Sequence, residues 1–301
     1  MAEIAPDGSK LAEAGVVRHD MKKFSTTLDP KNLFTGQIDS IIAKVILKEY
    51  PSDKYLNHII VPSAAFRPEK EGDKPVNLAG YAAFPSDSGL KGDEGTEGYV
   101  PDAFEVTVAA SFGSNYTGDG TFELTPGQDK GRTVTHEVGH FLALLHIWGN
   151  TGASTDNNCE GNDFCDDIPA QRKANENYAE CDKPITATTC VNGEIAMHQN
   201  YMDYSNDACQ NLFTKDQRTR MRTVMAKSRN RKELPFATTI RPHYMPANLK
   251  AAVSGSSVQL TWADKSKNVT SYEIEKSVGT GSFTKIGDEK FIYGNSENYV
   301  P

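Results

Sequence analysis

The stretch HEVGHFLALLHIW, His136 to Trp148, gathers three of the chain's seven histidines within eleven residues. Val134, Val138, Phe141 and Leu145 recur through it at helical spacing, so a core-anchored helix beginning near Thr133 is expected. On such a helix, residues four apart differ by about 40° in direction, so His136 and His140 face the same way. His146 lies six residues past His140, about 240° further round, and points nearly opposite if the helix continues. The three imidazoles therefore meet only if the helix stops after His140 and the chain turns back.

The pattern at residues 136–140 is HExxH. Two imidazoles four apart bind Zn²⁺, and the carboxylate of Glu137 beside them can take a proton from water. Zinc lowers the pKa of such a water from about 16 to about 7, where a carboxylate base suffices. A lone helical histidine is more often a surface or satisfied core residue; the glutamate at this spacing makes coincidence the weaker reading. A structural zinc is weaker again, because closed sites take four protein ligands.

The rest of the chain sets limits on the setting. Its 301 residues suffice for one sizeable domain plus an appendage. A net charge of −8 offers no basic field for nucleic acid or an anionic membrane. No apolar run approaches the roughly 20 residues of a transmembrane helix. The opening MAEIAPDGSKLAEAG lacks the basic and apolar regions of a secretory signal. The five cysteines, Cys159, Cys165, Cys181, Cys190 and Cys209, fall within 51 residues and form no CxxC pair. That clustering reads as disulfide stapling of one loop-rich region in an oxidising, extracellular setting. Five is odd, so a two-bridge scheme leaves one thiol over.

Residues 1–23 are polar and aperiodic and read as a tail or the remnant of a longer upstream pro-segment. Ile38, Ile41, Ile42, Val45 and Ile46 predict a helix closed by Pro51. YLNHIIVP (55–62) and EVTVAASF (105–112) predict strands, the second edge-like because it is short and alternating. Between them, residues 69–98 read as loop with an apolar interruption at LAGYAAF (78–84). Residues 149–200 show no sustained period. Thr214 with Gln217 forms a capping box that opens a helix running to about Arg229. A proline-rich linker over 236–246 precedes a segment, 247–301, that alternates at period two as half-buried strands do. The class expected is α+β over 24–235, followed by a short all-β, sandwich-like segment. DNNCEGNDFCDD (156–167) holds five carboxylates and reads either as a solvated acidic loop or as a calcium site, since Ca²⁺ collects oxygens from such loops.

HEVGHFLALLH also matches the extended metzincin motif HExxHxxGxxH except that Ala143 stands where the motif has glycine. Together with YPSDKYLN, CEGNDFCDDIPAQ and NYMDYSNDACQNLFT, it makes residues 30–230 or so resemble the pappalysin family of metzincin metalloproteases, in its ulilysin-like and cytophagalysin-like branch. The resemblance implies a twisted mixed sheet, an active-site helix and a C-terminal helix. It implies a secreted zinc endopeptidase, with His136, His140 and His146 as zinc ligands and Glu137 as general base. Met202 would pack beneath the metal without binding it, and Tyr204 would stabilise the developing oxyanion. A left-handed residue would swing His146 to the metal; at Ala143 that conformation costs about 1–2 kcal/mol.

The resemblance further implies a calcium ion held by Asp163, Asp167 and the carbonyls of Cys165 and Ile168. It implies bridges Cys159–Cys190 and Cys181–Cys209, leaving Cys165 free. Some relatives prefer Arg or Lys after the scissile bond through an acidic residue near the last cysteine; here Asp207 is close, although Ala208 immediately precedes Cys209. A protein substrate would lie extended along the edge strand expected near 105–112. NLKAAV, SVQLTW and SYEIEKS resemble the first three strands of a fibronectin type III domain. Asn115 and Asn268 fit the glycosylation sequon, a motif common by chance. The rival reading is an adhesin whose zinc only staples the fold; it leaves the base at Glu137 without a use.

Overall fold

Helix α1 (Thr35–Ile41) runs on through a π-turn at Ile42–Ile46 and a last turn at Leu47–Glu49, stopping two residues before Pro51. Its apolar side delivers Ile38 and Ile42 to a core shared with Leu33, Val61, Ala64, Phe104, Val106 and Val108. The computed structural model describes residues 11–12, 15–68, 70, 72–85, 87–92, 104–113, 123–149, 158–232 and 234; in the C-terminal segment it describes 247–255, 257–263, 271–272, 275–278, 281, 284–285 and 290–291. The chain divides into two units, 18–237 and 1–17 with 238–301. Residues 18–23, expected to be tail, belong to the larger unit, where Met21–Lys23 forms a 3₁₀ turn and Met21 packs on the core.

Strands β1 (Asn57–Val61), β2 (Ala65–Phe66), β3 (Val76–Asn77), β4 (Gly80–Ala82) and β5 (Phe104–Val108) follow. Strands β2 and β3 form a small antiparallel pair, and the other three form a mixed sheet in the order β1-β5-β4. β5 runs parallel to β1, with Asn57 beside Phe104, and antiparallel to β4, with Tyr81 beside Val106.

This corrects the expectation of an edge strand at 105–112. β5 ends at Val108, gives way to a 3₁₀ turn at Ala109–Ser111, and has a neighbour on each side. All five of its residues are buried. Phe104, Val106 and Val108 fill the core, while Glu105 and Thr107 on the opposite face are covered instead of solvated. The alternation is real, but helix α2 (Arg132–Phe141) lies over the polar face. The edge falls to β4, inside LAGYAAF, which among the described residues pairs on one side alone.

α2 also departs from its expected orientation. Val134, Val138 and Leu145 are half-buried, and the buried set is Thr133, His136, Glu137, Gly139, His140 and Phe141. The helix turns the face carrying His136, Glu137 and His140 inward, toward a sheet that presents Glu105 and Thr107.

From Leu142 to Thr214 the described chain has no helix and no strand beyond isolated bridges, Gln171 with Thr189 and Asn200 with Leu212. Two disulfides hold it, Cys159–Cys190 and Cys181–Cys209, while Cys165 is a buried free thiol. Leu144, Ile147, Trp148, Cys165, Ile168, Ala174 and Met202 form a second core beneath this region. Helix α3 (Lys215–Lys227) opens with the expected capping box: Gln217 N–H donates to Thr214 Oγ1 at 3.2 Å, and Thr214 N–H donates to Gln217 Oε1 at 2.9 Å.

In the smaller unit, β6 (Ala247–Ser254) and β7 (Ser257–Ala263) form an antiparallel hairpin with a register shift between Ala247 and Lys250. Short pairs join 271–272 to 290–291 and 275–276 to 284–285. The linker 236–246 and both sequon asparagines, Asn115 and Asn268, lie outside the described residues. No helix among the described residues is long and apolar enough to cross a membrane.

Candidate active site

The ends of α2 explain how its histidines are placed. At the start, Gly131 occupies the cap position without a side-chain acceptor. Asp207 supplies one from 75 residues away, accepting from Arg132 N–H at 3.2 Å and from Lys130 N–H at 2.8 Å. A carboxylate there meets the positive end of the helix dipole.

At the other end, Leu142 leaves helical geometry and Ala143 adopts φ 65°. The carbonyls this break releases need donors, because they are buried. Arg220 on α3 donates through Nε to Ala143 O at 2.6 Å, and Arg231 donates through Nε to Phe141 O at 3.0 Å. Arg231 is fully buried and its guanidinium also lies 4.1 Å over the Phe141 ring. Two cations at a helix C-terminus favour the break electrostatically as well.

The turn returns His146 to the other two histidines. His146 Nε2 lies 3.2 Å from His136 Nε2 and 3.1 Å from His140 Nε2. His136 Nδ1 sits 2.6 Å from Tyr201 O, and His140 Nδ1 sits 2.7 Å from Leu144 O. A carbonyl only accepts, so these Nδ1 atoms carry the protons and the Nε2 lone pairs point inward. Burial pushes His136 down to about 4 and His140 to about 3, and pulls His146 well below its usual value, so the imidazoles are neutral near pH 7.

Three neutral nitrogens at this spacing fit a divalent metal. A tetrahedral ion with bonds of roughly 2.0–2.1 Å holds its ligands about 3.3 Å apart. Among the described residues, this is the group of three or more His, Cys, Asp or Glu that could hold a metal.

The surroundings of the triad are aromatic on one side and acidic on the other. The His146 ring stacks on Trp148 at 4.2 Å, and Tyr204 meets His146 edge-on at 5.0 Å. Tyr204 is 41% exposed, so the ring reaches from the histidines toward solvent. Glu137 is buried, which pushes its carboxyl well above the usual range, with a further push from Glu105 on β5. The edge strand passes directly beside it. A Cβ at Gly80 would come 2.8 Å from both Cγ and Oε1 of Glu137, so glycine is required there for the strand to lie this close.

Met202 is fully buried beneath the triad, and a Cβ at Gly139 would meet its Sδ at 2.5 Å. Its N–H donates to Asn200 Oδ1 at 2.9 Å, and Asn200 exchanges two side-chain hydrogen bonds, 2.8 and 3.0 Å, with Gln217 on α3. Asp203 accepts from Asn175 N–H at 3.0 Å and from its amide nitrogen at 2.7 Å, with burial raising its pKa to about 6.

In the acidic loop, Asp163 Oδ1 accepts from Cys165 N–H at 3.0 Å, and its Oδ2 is buried without a partner among the described residues. Burial, with Asp167 adding to it, raises Asp163 to about 7. Asp167 Oδ2 accepts from Asp216 N–H at 3.1 Å, and Cys165 O accepts from Ile168 N–H at 3.2 Å.

Asp207, weighed in the sequence for substrate preference, is here a helix cap. Arg220, Arg231, Gly80 and the Asn200–Gln217 pair carry no local signal, since each works on a partner far away in the chain.

Residues 70–226 match the family model described as pregnancy-associated plasma protein-A, Peptidase_M43. The chain belongs to this peptidase family. An extracellular metalloprotease of Arthroderma benhamiae is 39% identical over 97 residues, covering 32% of each protein. Extracellular metalloprotease 1 of Coccidioides posadasii is 35% identical over 165 residues, 52% of this chain and 54% of that one. The chain thus spans between a third and about half the length of these curated relatives. Among solved structures, mature mirolysin of Tannerella forsythia in complex with a cleaved peptide superposes with a TM-score of 0.53 at 28% identity, over 79% of this chain and 75% of that one. The shared architecture is the metzincin one.

Proposed function

We propose that this chain is a secreted zinc endopeptidase that hydrolyses peptide bonds in proteins. The observation that carries the reading is the convergence of His136, His140 and His146 beside the buried Glu137, under the edge strand β4. Bound zinc would supply Lewis acidity, acidifying a water and polarising the scissile carbonyl. The protein's own groups do the rest. Glu137 takes the proton of the attacking water and passes it to the leaving amine, so no proton is gained or lost overall. Its raised proton affinity suits a group that must hold a proton in transit. Tyr204, exposed at the rim and edge-on to His146, donates its hydroxyl proton in a hydrogen bond to the oxyanion.

The substrate backbone is read as an added strand on β4, whose Gly80 lies against Glu137. Met202 serves as the packed floor of the site. A preference for Arg or Lys after the scissile bond is the finer expectation. Asp207 is committed to two α2 amides, so a cleavage profile carries that test. A calcium ion at Asp163, Asp167 and the carbonyls of Cys165 and Ile168 completes the reading, supported by the unpartnered buried oxygen of Asp163. Two disulfides and the extracellular relatives support secretion, and residues 247–301 are read as an appended β module, fibronectin-like in pattern.

The test is casein digestion by the full chain with and without a chelator, beside the Glu137→Ala variant. Chelation and the substitution should each abolish cleavage while the variant keeps its zinc. Full proteolysis by Glu137→Ala would sink the assignment.

A further inference from the structure

Behind Glu137 the sheet carries polar groups that the reading above leaves unused. β5 turns Glu105 and Thr107 toward α2, and the strand register sets Glu105 between His58 on β1 and Ala82 on β4, with Thr107 beside Gly80. Glu105 is 1% exposed and pairs with His58 Nδ1. Glu105 Oε2, Thr107 Oγ1, His58 Nε2 and Glu137 Oε2 are all buried with no partner among the described residues. Native proteins hold few such atoms per hundred residues, and these four belong to adjacent positions on β1 and β5 and to the helix packed over them. A buried water with two to four polar partners is the ordinary way to satisfy such a group. An apolar pair would fill this space without the desolvation penalty of a buried carboxylate, so packing alone does not account for Glu105 and His58.

We propose that Glu105, held by His58, is a positioning residue for Glu137: through Thr107 and bridging water it fixes the orientation in which the Glu137 carboxyl meets the attacking water. Gly80 allows this, because no side chain intervenes between the edge strand and the carboxyl. Gly80, which touches Glu137, is the register partner of Thr107, and Glu105 stands two residues before Thr107 on the same face of β5. The inference rests on Glu137 acting as the base proposed above.

The experiment uses the full zinc-loaded chain and a fluorogenic peptide. Glu105→Leu should lower kcat about tenfold, a part of the 10²–10⁴ that a positioned base contributes, with KM within twofold and zinc content unchanged. Glu105→Gln, which keeps a hydrogen-bonding group of the same shape, should recover most of that loss. If Glu105→Leu does not fold, His58→Leu, which releases Glu105 without removing it, carries the same split of kcat against KM. A second readout needs no metal: in the zinc-free protein, Glu105→Gln and Glu137→Gln should be non-additive in the unfolding constant by at least threefold. Wild-type kcat in the Glu105 and His58 variants, or zinc loss and a KM rise alongside kcat with no recovery in Glu105→Gln, would overturn the positioning role. Cleavage by Glu137→Ala would instead overturn the reading beneath it; loss there with wild-type kcat in the Glu105 variants overturns this inference alone.

Discussion

A single residue, Ala143, decides whether three histidines become one site. Its φ of 65° places a side chain in the left-handed region, at a cost of about 1–2 kcal/mol. Glycine would relieve that strain, but it adds about 0.5–1 kcal/mol of unfolded-state entropy and removes a buried methyl worth about 0.8 kcal/mol. The terms nearly cancel. Ala143→Gly should therefore stay within about 1 kcal/mol of the wild type in guanidinium unfolding. Ala143→Val should lose more than about 2 kcal/mol and with it zinc, because a β-branched residue at positive φ is a genuine outlier and the site is fully buried. Equal stability of the valine variant would mean the turn is not built as described.

Asp203 carries a second residue-scale expectation. Burial raises its pKa to about 6 from an ordinary 3.8, so the folded state holds the proton more tightly than the unfolded chain. The stabilisation from that proton is complete below pH 3.8 and is lost as pH rises through 6. Wild type should therefore gain stability relative to Asp203→Asn as pH falls from 6 toward 4, measured as the difference between paired urea midpoints. A difference independent of pH would contradict the buried, titrating carboxyl.

At the scale of elements, α3 and the turn that follows it act as the brace for the broken end of α2. Arg220 holds Ala143 O, Arg231 holds Phe141 O and Ala83 O, and Gln217 holds the turn under Met202 through Asn200. Arg231→Met would leave the buried carbonyl of Phe141 and the partly buried one of Ala83 without this donor, the first costing about 1–3 kcal/mol and the second less. We expect a loss of about 2–5 kcal/mol and weakened zinc retention against a chelator, since Phe141 and Ala143 steer the path to His146. Calorimetry with metal analysis checks both together; unchanged zinc affinity would show that the brace is local.

These braces also mark where sequence reading stops. The break in α2 was legible, because helical geometry sends His146 the wrong way unless the helix ends. The capping box of α3 was legible too, its two members standing three residues apart. Arg220 and Arg231 were not, because their partners lie 77 and 90 residues upstream and nothing local announces them. The alternation in β5 suggests an edge strand where the structure has a central one, since period two cannot tell solvent from a covering polar helix. Val134 and Val138 misled for the converse reason: apolar spacing named a stripe, while the site claimed the buried side.

The larger unit, 18–237, shows an uneven division of labour. The sheet and α1 share an apolar core, whereas the described residues between 142 and 214 add to a smaller apolar core turns, buried polar pairs and two disulfides in place of regular elements. The bridges span 31 and 28 residues, and closing loops of that length stabilises by about 3–4 kcal/mol each in the chain-entropy picture. The sheet gains nothing directly from them. Reduction should therefore loosen the site before the scaffold. Hydrogen exchange on the protein with Cys181→Ser and Cys209→Ser should show amides around Tyr201, Asp203 and Cys190 losing protection, while Val106 and Thr107 on β5 keep theirs. Zinc should stabilise the same variant by mass action, because the metal ties the bend at His146 to α2 independently of sulfur. If β5 and the 158–213 region instead lose protection together in that variant, the unit is a single cooperative body and this division fails.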